Sequence, residues 1–358
     1  MKILIEALHG LGDTVCMLPA IELVRKTYPE AFITVLVKFS AAADIINRSE
    51  IPVNQIIRLD IYKNFKRSFQ VIRQLRGMHF DYGISSAVTP VRKAKIFMKM
   101  IAPKKHVGLQ TQGVFFDTLN EKYHFVEANL MAVSAICPLP DHKVFPKLYL
   151  DEDSLSSIKN KIGESNLKRL VVGICIGDAD YSLKNRFLRT GKVYTRSWGI
   201  ENMALLINRL RNTSANNPFT IVLIGGRSEN RLLPYLRDHH ALGKNICNLV
   251  GQTSIKESIA LAYLCDVVVG VDTGMQHIAS AVGTKTVSIF GPTNPDTHGP
   301  YSDAAEFLVG SKICEHQFCY GTKYYVNCPY HRKCLSAITV EMTYKAVKKT
   351  VESEYHNL

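Results

Sequence analysis

The sequence predicts an α/β protein built from two doubly wound, parallel-sheet domains. Three observations lead there. Apolar runs of five or six residues alternate with amphipathic segments along the whole chain. Each half carries a glycine-bearing turn directly after a strand-like run. The length of 358 residues, with 46% hydrophobic and 21% charged residues, suits two medium-sized soluble domains.

The strands are read from continuous apolar runs, which a strand needs when both faces of its sheet are covered. "KILIEA", "FITVLV" and "DYGISS" supply the first half, and "RLVVGICIG", "FTIVLIG", "DVVVGV" and "KTVSIFG" the second. Between them "AIELVRKTY", "SFQVIRQLRG", "EANLMAVSAI", "ENMALLINRLR" and "SIKESIALAYL" carry helical periodicity. Strand-helix alternation implies parallel sheets with helices on both faces. A polar stretch at 141–166 interrupts the pattern and the alternation restarts at Leu170. The expected domains are therefore 1–165 and 166–335, followed by a C-terminal helix within 336–358.

No run of about 18 uncharged apolar residues is present, and "MKILIEALHG" reaches His9-Gly10 too soon for a signal-peptide core. A cytoplasmic location is expected. Nine cysteines in such a chain read as thiols or metal ligands rather than a disulfide framework.

The net charge of +13 is concentrated. From Arg58 to Lys105 twelve Lys/Arg face only Asp60 and Asp81, a local excess of ten positive charges. Such a patch attracts an anionic membrane surface, a phosphorylated substrate or nucleic acid, or is merely solvated. Without an RNA-binding signature, zinc-finger spacing or interleaved aromatics, nucleic acid is not an expected partner.

In the first half, "ILIEALHGLGDTVCMLPAI" runs from a strand through Gly10-Leu11-Gly12-Asp13 into a helix, with Asp13 at or near its N-cap. This is not the dinucleotide fingerprint, since Val15 or Cys16 stands where the third glycine belongs. In the second half Asp272 ends "DVVVGV", Thr273-Gly274 open a helix and His277 follows one turn later. Backbone N–H groups at such a helix start bind phosphate, helped by roughly half a positive charge from the helix dipole. An ordinary capped helix with a buried histidine is the simpler alternative.

"GLGDTVCMLPAI" together with "VGVDTGMQHIASAVGTKTVSIFGPTNPDTHGPYS" resembles the bacterial heptosyltransferases of glycosyltransferase family nine. "VYTRSWGIENMALLI", "VLIGGRSEN" and "NLVGQTSIKESIALAYLCD" are similar to that family's intervening segments, in the same order. The resemblance implies a GT-B fold, two Rossmann-like domains facing a central cleft. It implies an N-terminal domain for the acceptor and a C-terminal one for a nucleotide sugar, ADP-heptose. Asp13 would be the general base of an inverting transfer. Arg196, Glu229, Thr253, Asp272, Thr273, Gly274 and His277 would hold the donor. Gly12 and the basic residues Arg92, Lys93 and Lys95 would meet an anionic acceptor, the inner core of lipopolysaccharide at the inner membrane surface. A protein serine or another glycan is the alternative acceptor, and another nucleotide sugar the alternative donor. No cofactor is implied for catalysis.

Three features depart from the family pattern. Gly199 stands where a proline is usual, and the loop from Gly177 to Trp198 is long. That loop holds Asp178-Ala179-Asp180, formally the metal-binding D-x-D of another glycosyltransferase class. Cys314, Cys319, Cys328 and Cys334 crowd one segment at intervals unlike paired C-x2-C motifs. Because iron-binding cysteine segments occur in related autotransporter-modifying enzymes, a structural Fe or Zn stands beside free thiols as an expectation. A nucleotide-sugar 2-epimerase and a non-catalytic binding module are the readings from other classes; release of free sugar without acceptor marks the first, tolerance of Asp13→Ala the second.

Overall fold

The computed structural model describes residues 1–60, 65–112, 123–177, 196–212, 219–310, 314–326 and 328–352. Asp178-Ala179-Asp180 and most of the long loop lie outside the described residues. The chain forms two compact units, Met1–Tyr149 and Leu150–Leu358.

The first unit holds a five-stranded parallel sheet in the order β3-β2-β1-β4-β5. Its strands are β1 (Lys2–Ala7), β2 (Phe32–Val37), β3 (Gln55–Arg58), β4 (Tyr82–Ile84) and β5 (Lys105–Val107). Helices α1 (Leu11–Thr27), α2 (Ser40–Arg48), α3 (Phe65–Gly77), α4 (Val91–Ile101) and α5 (Phe125–Val133) accompany it. Beyond its first residue β1 is buried throughout, as is β2, which is why both read as unbroken apolar runs. The exception is Glu6, a carboxylate only 2% exposed in the middle of the apolar core.

The helix after the Gly10 turn starts at Leu11, one turn earlier than a cap at Asp13 requires. Gly10 is the N-cap, and Asp13 sits in the first turn, where its Oδ2 accepts from the Gly10 amide at 2.9 Å. A carboxylate there suits the positive end of the helix dipole.

The second unit begins with α6 (Glu152–Ile162), capped by Asp151, whose carboxylate accepts from the Ser154 amide at 2.8 Å. This helix comes from the polar segment expected to separate the domains. Through Ser157 and Lys161, each 2.7 Å from Glu257 Oε1, it is fastened to α8 (Ile255–Tyr263). The division between units thus falls at Tyr149–Leu150 rather than after residue 165.

A six-stranded parallel sheet follows, in the order β11-β10-β9-β6-β7-β8. Its strands are β6 (Val171–Cys175), β7 (Thr220–Ile224), β8 (Ile246–Asn248), β9 (Val267–Val271), β10 (Lys285–Phe290) and β11 (Ala305–Val309). Helices α7 (Ile200–Arg211) and α9 (Gly274–Ala281) connect them, and α10 (Val340–Glu352) returns to the same core, burying Tyr344, Val347 and Val351. Trp198 is core as well, 3% exposed with its indole N–H donated to the Ile338 carbonyl at 2.8 Å. Gly199 answers the missing proline: its φ of +97° is one that proline cannot adopt.

No helix among the described residues is long and apolar enough to cross a membrane.

Candidate functional site

Chain direction across the second sheet points to a candidate site. From β6 the chain adds β7 and β8 on one side, then crosses back to place β9 against the other side of β6. The strand order reverses between β6 and β9, and in open α/β sheets ligands bind in the crevice that such a reversal opens at the carboxyl ends. A cavity of about 230 Å3 lies there, lined by Cys175, Gly177, Gly225, Gly226, Glu229, Thr273, Gly274 and Met275 among others. A larger cavity of about 710 Å3 in the first unit borders Leu18, Pro19, Glu22 and Lys26, away from Asp13 along α1, so volume alone does not mark chemistry.

On the β9 side, Thr273 is the N-cap of α9, yet its side chain makes no capping hydrogen bond. Its Oγ1 is buried with no partner among the described residues. Buried hydroxyls are ordinarily satisfied. One left open beside a helix N-terminus whose own N–H groups lack intrahelical partners makes a ready site for an anion. Asp272, 8% exposed, faces Arg196, whose Nη1 stands 3.4 Å from its Oδ2. His277 is 7% exposed and one turn into the helix, and is not among the residues lining the cavity.

On the β7 side, Glu229 follows Gly225-Gly226 in a tight turn and is 8% exposed. Ser228 donates to its Oε1 at 2.8 Å. Gly177 makes room for it: a Cβ there would lie 2.3 Å from Glu229 Cγ. Thr253 stands apart from the cavity lining, its hydroxyl 2.9 Å from that of Ser258 at the start of α8.

The first unit gathers a second polar group at the ends of β1 and β4. Glu6 Oε2 accepts from the Thr89 hydroxyl at 2.6 Å and from the Ser86 amide at 3.3 Å. Its Oε1 lies 3.5 Å from His9 Nε2, which also stands 2.6 Å from Thr89 Oγ1. Asn129 of α5 closes the group, accepting from the Ala87 amide at 2.9 Å. Burial alone would raise the Glu6 pKa, but the His9 hydrogen bond and charge, with Thr89 and the Leu8 amide, hold it below its ordinary value. For His9 burial acts downward, and the hydrogen bond and charge of Glu6, with Asp13 adding, carry it above its ordinary value. Asp13 is half-buried one turn away along the chain. Sequence reasoning passed over Glu6, His9 and Thr89, although one charged residue inside "ILIEA" is the visible signal of such a group.

Gly12 lies in the first turn of α1, half-buried beside Asp13. Arg92, Lys93 and Lys95 are exposed on α4, which has no acidic residue in its first turn. Cations at a helix N-terminus oppose the dipole, so helix stability does not explain them.

The four C-terminal cysteines are near enough for burial and the neighbouring Cys334, Cys328 and Cys314 to push the Cys319 thiol up to about 11. Among the described residues no group of three or more His, Cys, Asp or Glu side chains is placed to hold a metal ion. Electrostatic proximity extends further than a ligand shell, and the thiols as positioned do not fit the expected Fe or Zn.

Residues 68–325 match the model of glycosyltransferase family 9 (heptosyltransferase). Lipooligosaccharide heptosyltransferase 2 of Campylobacter jejuni subsp. jejuni serotype O:2 is 22% identical over 377 residues, covering 99% of this chain and 100% of the relative. The structure of E. coli ADP-heptose lps heptosyltransferase II superposes with a TM-score of 0.72 at 20% identity, covering 99% of this chain and 100% of that one. The family 9 glycosyl transferase from Veillonella parvula DSM 2008 gives a TM-score of 0.78 at 16% identity, over 98% of this chain and 97% of that one. The two parallel-sheet α/β units are those of the GT-B fold.

Proposed function

From the premise that this chain belongs to glycosyltransferase family 9, we propose that it moves a heptose from ADP-heptose, with inversion, onto an anionic acceptor, the inner core of lipopolysaccharide. The observation that carries the reading is the buried Thr273 hydroxyl at the start of α9, which has no partner among the described residues and lies in a crevice that Glu229 also lines. The heptose, the ADP and the lipid-borne acceptor are those in the names of the Campylobacter and E. coli relatives.

In this mechanism the diphosphate sits on Thr273, the Gly274 amide and the N-terminus of α9, and Glu229 accepts from the ribose hydroxyls. Arg196 meets the charge that develops as the diphosphate leaves. Asp272 then serves by holding Arg196, because a carboxylate placed directly on a diphosphate would repel it. The second unit is the donor domain and the first the acceptor domain. Asp13 takes the proton of the acceptor hydroxyl while that oxygen bonds to the anomeric carbon and the carbon–phosphate-oxygen bond breaks, releasing ADP. One Asp13 oxygen is steadied by the Gly10 amide at 2.9 Å.

The reaction site is the cytoplasmic face of the inner membrane. Eight exposed basic residues and no acidic one lie on α3 and α4, among them Arg92, Lys93 and Lys95. Phe69, Ile96 and Met100 are 61%, 53% and 39% exposed on the same helices. Arg76 Nη1 donates to the Met100 carbonyl at 3.4 Å, joining the two helices. Exposed apolar side chains and cations on the same two helices suit an anionic lipid surface.

Calorimetry with ADP, UDP, GDP and NAD, followed by turnover of ADP-heptose against lipopolysaccharide inner-core acceptors, tests the proposal. ADP preference with Asp13-dependent transfer is expected. Preference for another nucleotide overturns the donor assignment, and ADP binding without transfer to any of these acceptors overturns the acceptor assignment.

A further inference from the structure

We infer that His9 is an acceptor-binding residue, donating a charge-assisted hydrogen bond from Nδ1 to a carboxylate or phosphate oxygen beside the hydroxyl that Asp13 deprotonates. This rests on the assignment of Asp13 and the first unit to the acceptor.

The hydrogen bonds around His9 fix which ring nitrogen does what. Thr89 Oγ1 and Glu6 Oε2 are 2.6 Å apart, and the carboxylate can only accept, so the single hydroxyl proton of Thr89 points to Glu6. The 2.6 Å contact between Thr89 Oγ1 and His9 Nε2 must then use a proton on Nε2. Glu6 Oε1, 3.5 Å from the same nitrogen, reinforces that tautomer. Nδ1 has no partner among the described residues, and the side chain is 23% exposed. The ring is oriented from behind, and among the described residues its other nitrogen is unused.

The surroundings define what the free nitrogen can meet. His9 stands beyond the carboxyl end of β1, the edge at which parallel sheets bind ligands, and four residues before Asp13. Lys38 lies just past the neighbouring strand: Ala7 pairs with Val37 in the β1–β2 register, and Lys38 follows directly. The charged groups acting on His9 are therefore Glu6 on β1, Asp13 on α1 and Lys38 after β2, while the β4–α4 segment contributes the neutral Thr89. With Nε2–H committed to Thr89, Nδ1 donates only when the ring is an imidazolium. The neutral ring would present a lone pair to an anion and repel it.

The pH dependence has a definite sign. The net influence of Glu6 and Asp13 keeps His9 charged above its ordinary value of 6.5. Acceptor binding should hold below that value and weaken as pH rises through the raised one. Acceptor phosphates gain charge over the same range, which alone would strengthen binding.

The test uses the whole 358-residue chain with His9→Gln, an inner-core oligosaccharide, and the same acceptor after carboxyl reduction or after dephosphorylation. With the intact acceptor, His9→Gln should raise acceptor KM by about 10- to 100-fold, as expected for one charge-assisted hydrogen bond. Its kcat and ADP affinity should stay near wild type, and the alkaline fall of kcat/KM should disappear. The acid whose removal makes wild type and variant equally poor identifies the group bound. An unchanged KM, or an equal loss on every acceptor, overturns the inference. A readout free of turnover separates its failure from that of the transfer reaction: acceptor addition should shift the His9 imidazole 15N resonances, and should not once the acid is removed. No shift with the intact acceptor overturns the contact even if transfer occurs, while a shift without transfer keeps it and moves the failure to the proposed reaction.

Discussion

Arg196 Nη1 lies 3.4 Å from Asp272 Oδ2, although 76 residues separate them and Asp272 directly follows the carboxyl end of β9. Neither side chain is well exposed, at 19% and 10%, so the pairing sets where the guanidinium points. Asp272→Asn should therefore leave the donor bound less tightly and lower kcat, while Arg196→Ala should lower kcat by about 10²–10³-fold, the size of one lost transition-state donor. Steady-state kinetics on both variants check this; an Asp272→Asn enzyme with wild-type kcat removes the positioning role.

Asp13→Asn should cut kcat by about 10²–10⁴-fold, the usual contribution of a general base. Donor binding, measured by calorimetry with ADP, should not change, because Asp13 and the Thr273 crevice belong to different units. Turnover within a few-fold of wild type would assign the proton to another group.

Gly177→Ala should weaken ADP binding at least tenfold. The new methyl group would stand 2.3 Å from Glu229 Cγ and must drive that side chain out of its place. Unaltered ADP affinity in a folded variant would remove Glu229 from the donor site.

The attachment of α6 to the second unit predicts an acid-sensitive stability. The Lys161 hydrogen bond, with the Ser254 amide, Ser157 and the Ser254 side chain, outweighs burial and holds Glu257 at about 2 against an ordinary 4.5. A depressed carboxylate contributes stability that is whole above 4.5 and is lost as pH falls toward 2. Glu257→Gln should destabilise the protein by about 1–3 kcal/mol at neutral pH and flatten that acid dependence. Urea unfolding between pH 3 and pH 7 measures both.

Sedimentation with vesicles containing anionic lipid should bring down the wild-type protein, less so in high salt. Phe69→Ser with Ile96→Ser should reduce binding without altering ADP affinity. Charge reversal at Arg92, Lys93 and Lys95 should reduce it further and raise acceptor KM. Equal binding to neutral vesicles would leave the basic faces of α3 and α4 merely solvated.

Much of the fold was legible because parallel strands covered on both faces must be apolar throughout. "ILIEA", "FITVLV" and "DVVVGV" announce β1, β2 and β9 by that rule. The short strands β3, β5, β8 and β11 did not stand out, because they have three to five residues and most of their positions are only half-buried. Helix α6 was hidden in a polar segment because its exposed face is charged and only Ser154, Ile158 and Ile162 are buried.

By itself the sequence determined the alternation of strand and helix, the glycine turn before Asp13, the Asp272-Thr273-Gly274 helix start and the family resemblance. These are local matters of backbone periodicity and turn chemistry. Tertiary structure alone decided that β9 returns to the side of β6, that Arg196 meets Asp272, that the Thr273 hydroxyl is buried with no partner among the described residues and that Thr89 reaches Glu6 from 83 residues away. Local pattern carries no record of such pairings, because a buried polar atom takes whichever partner the packed chain brings within hydrogen-bonding distance.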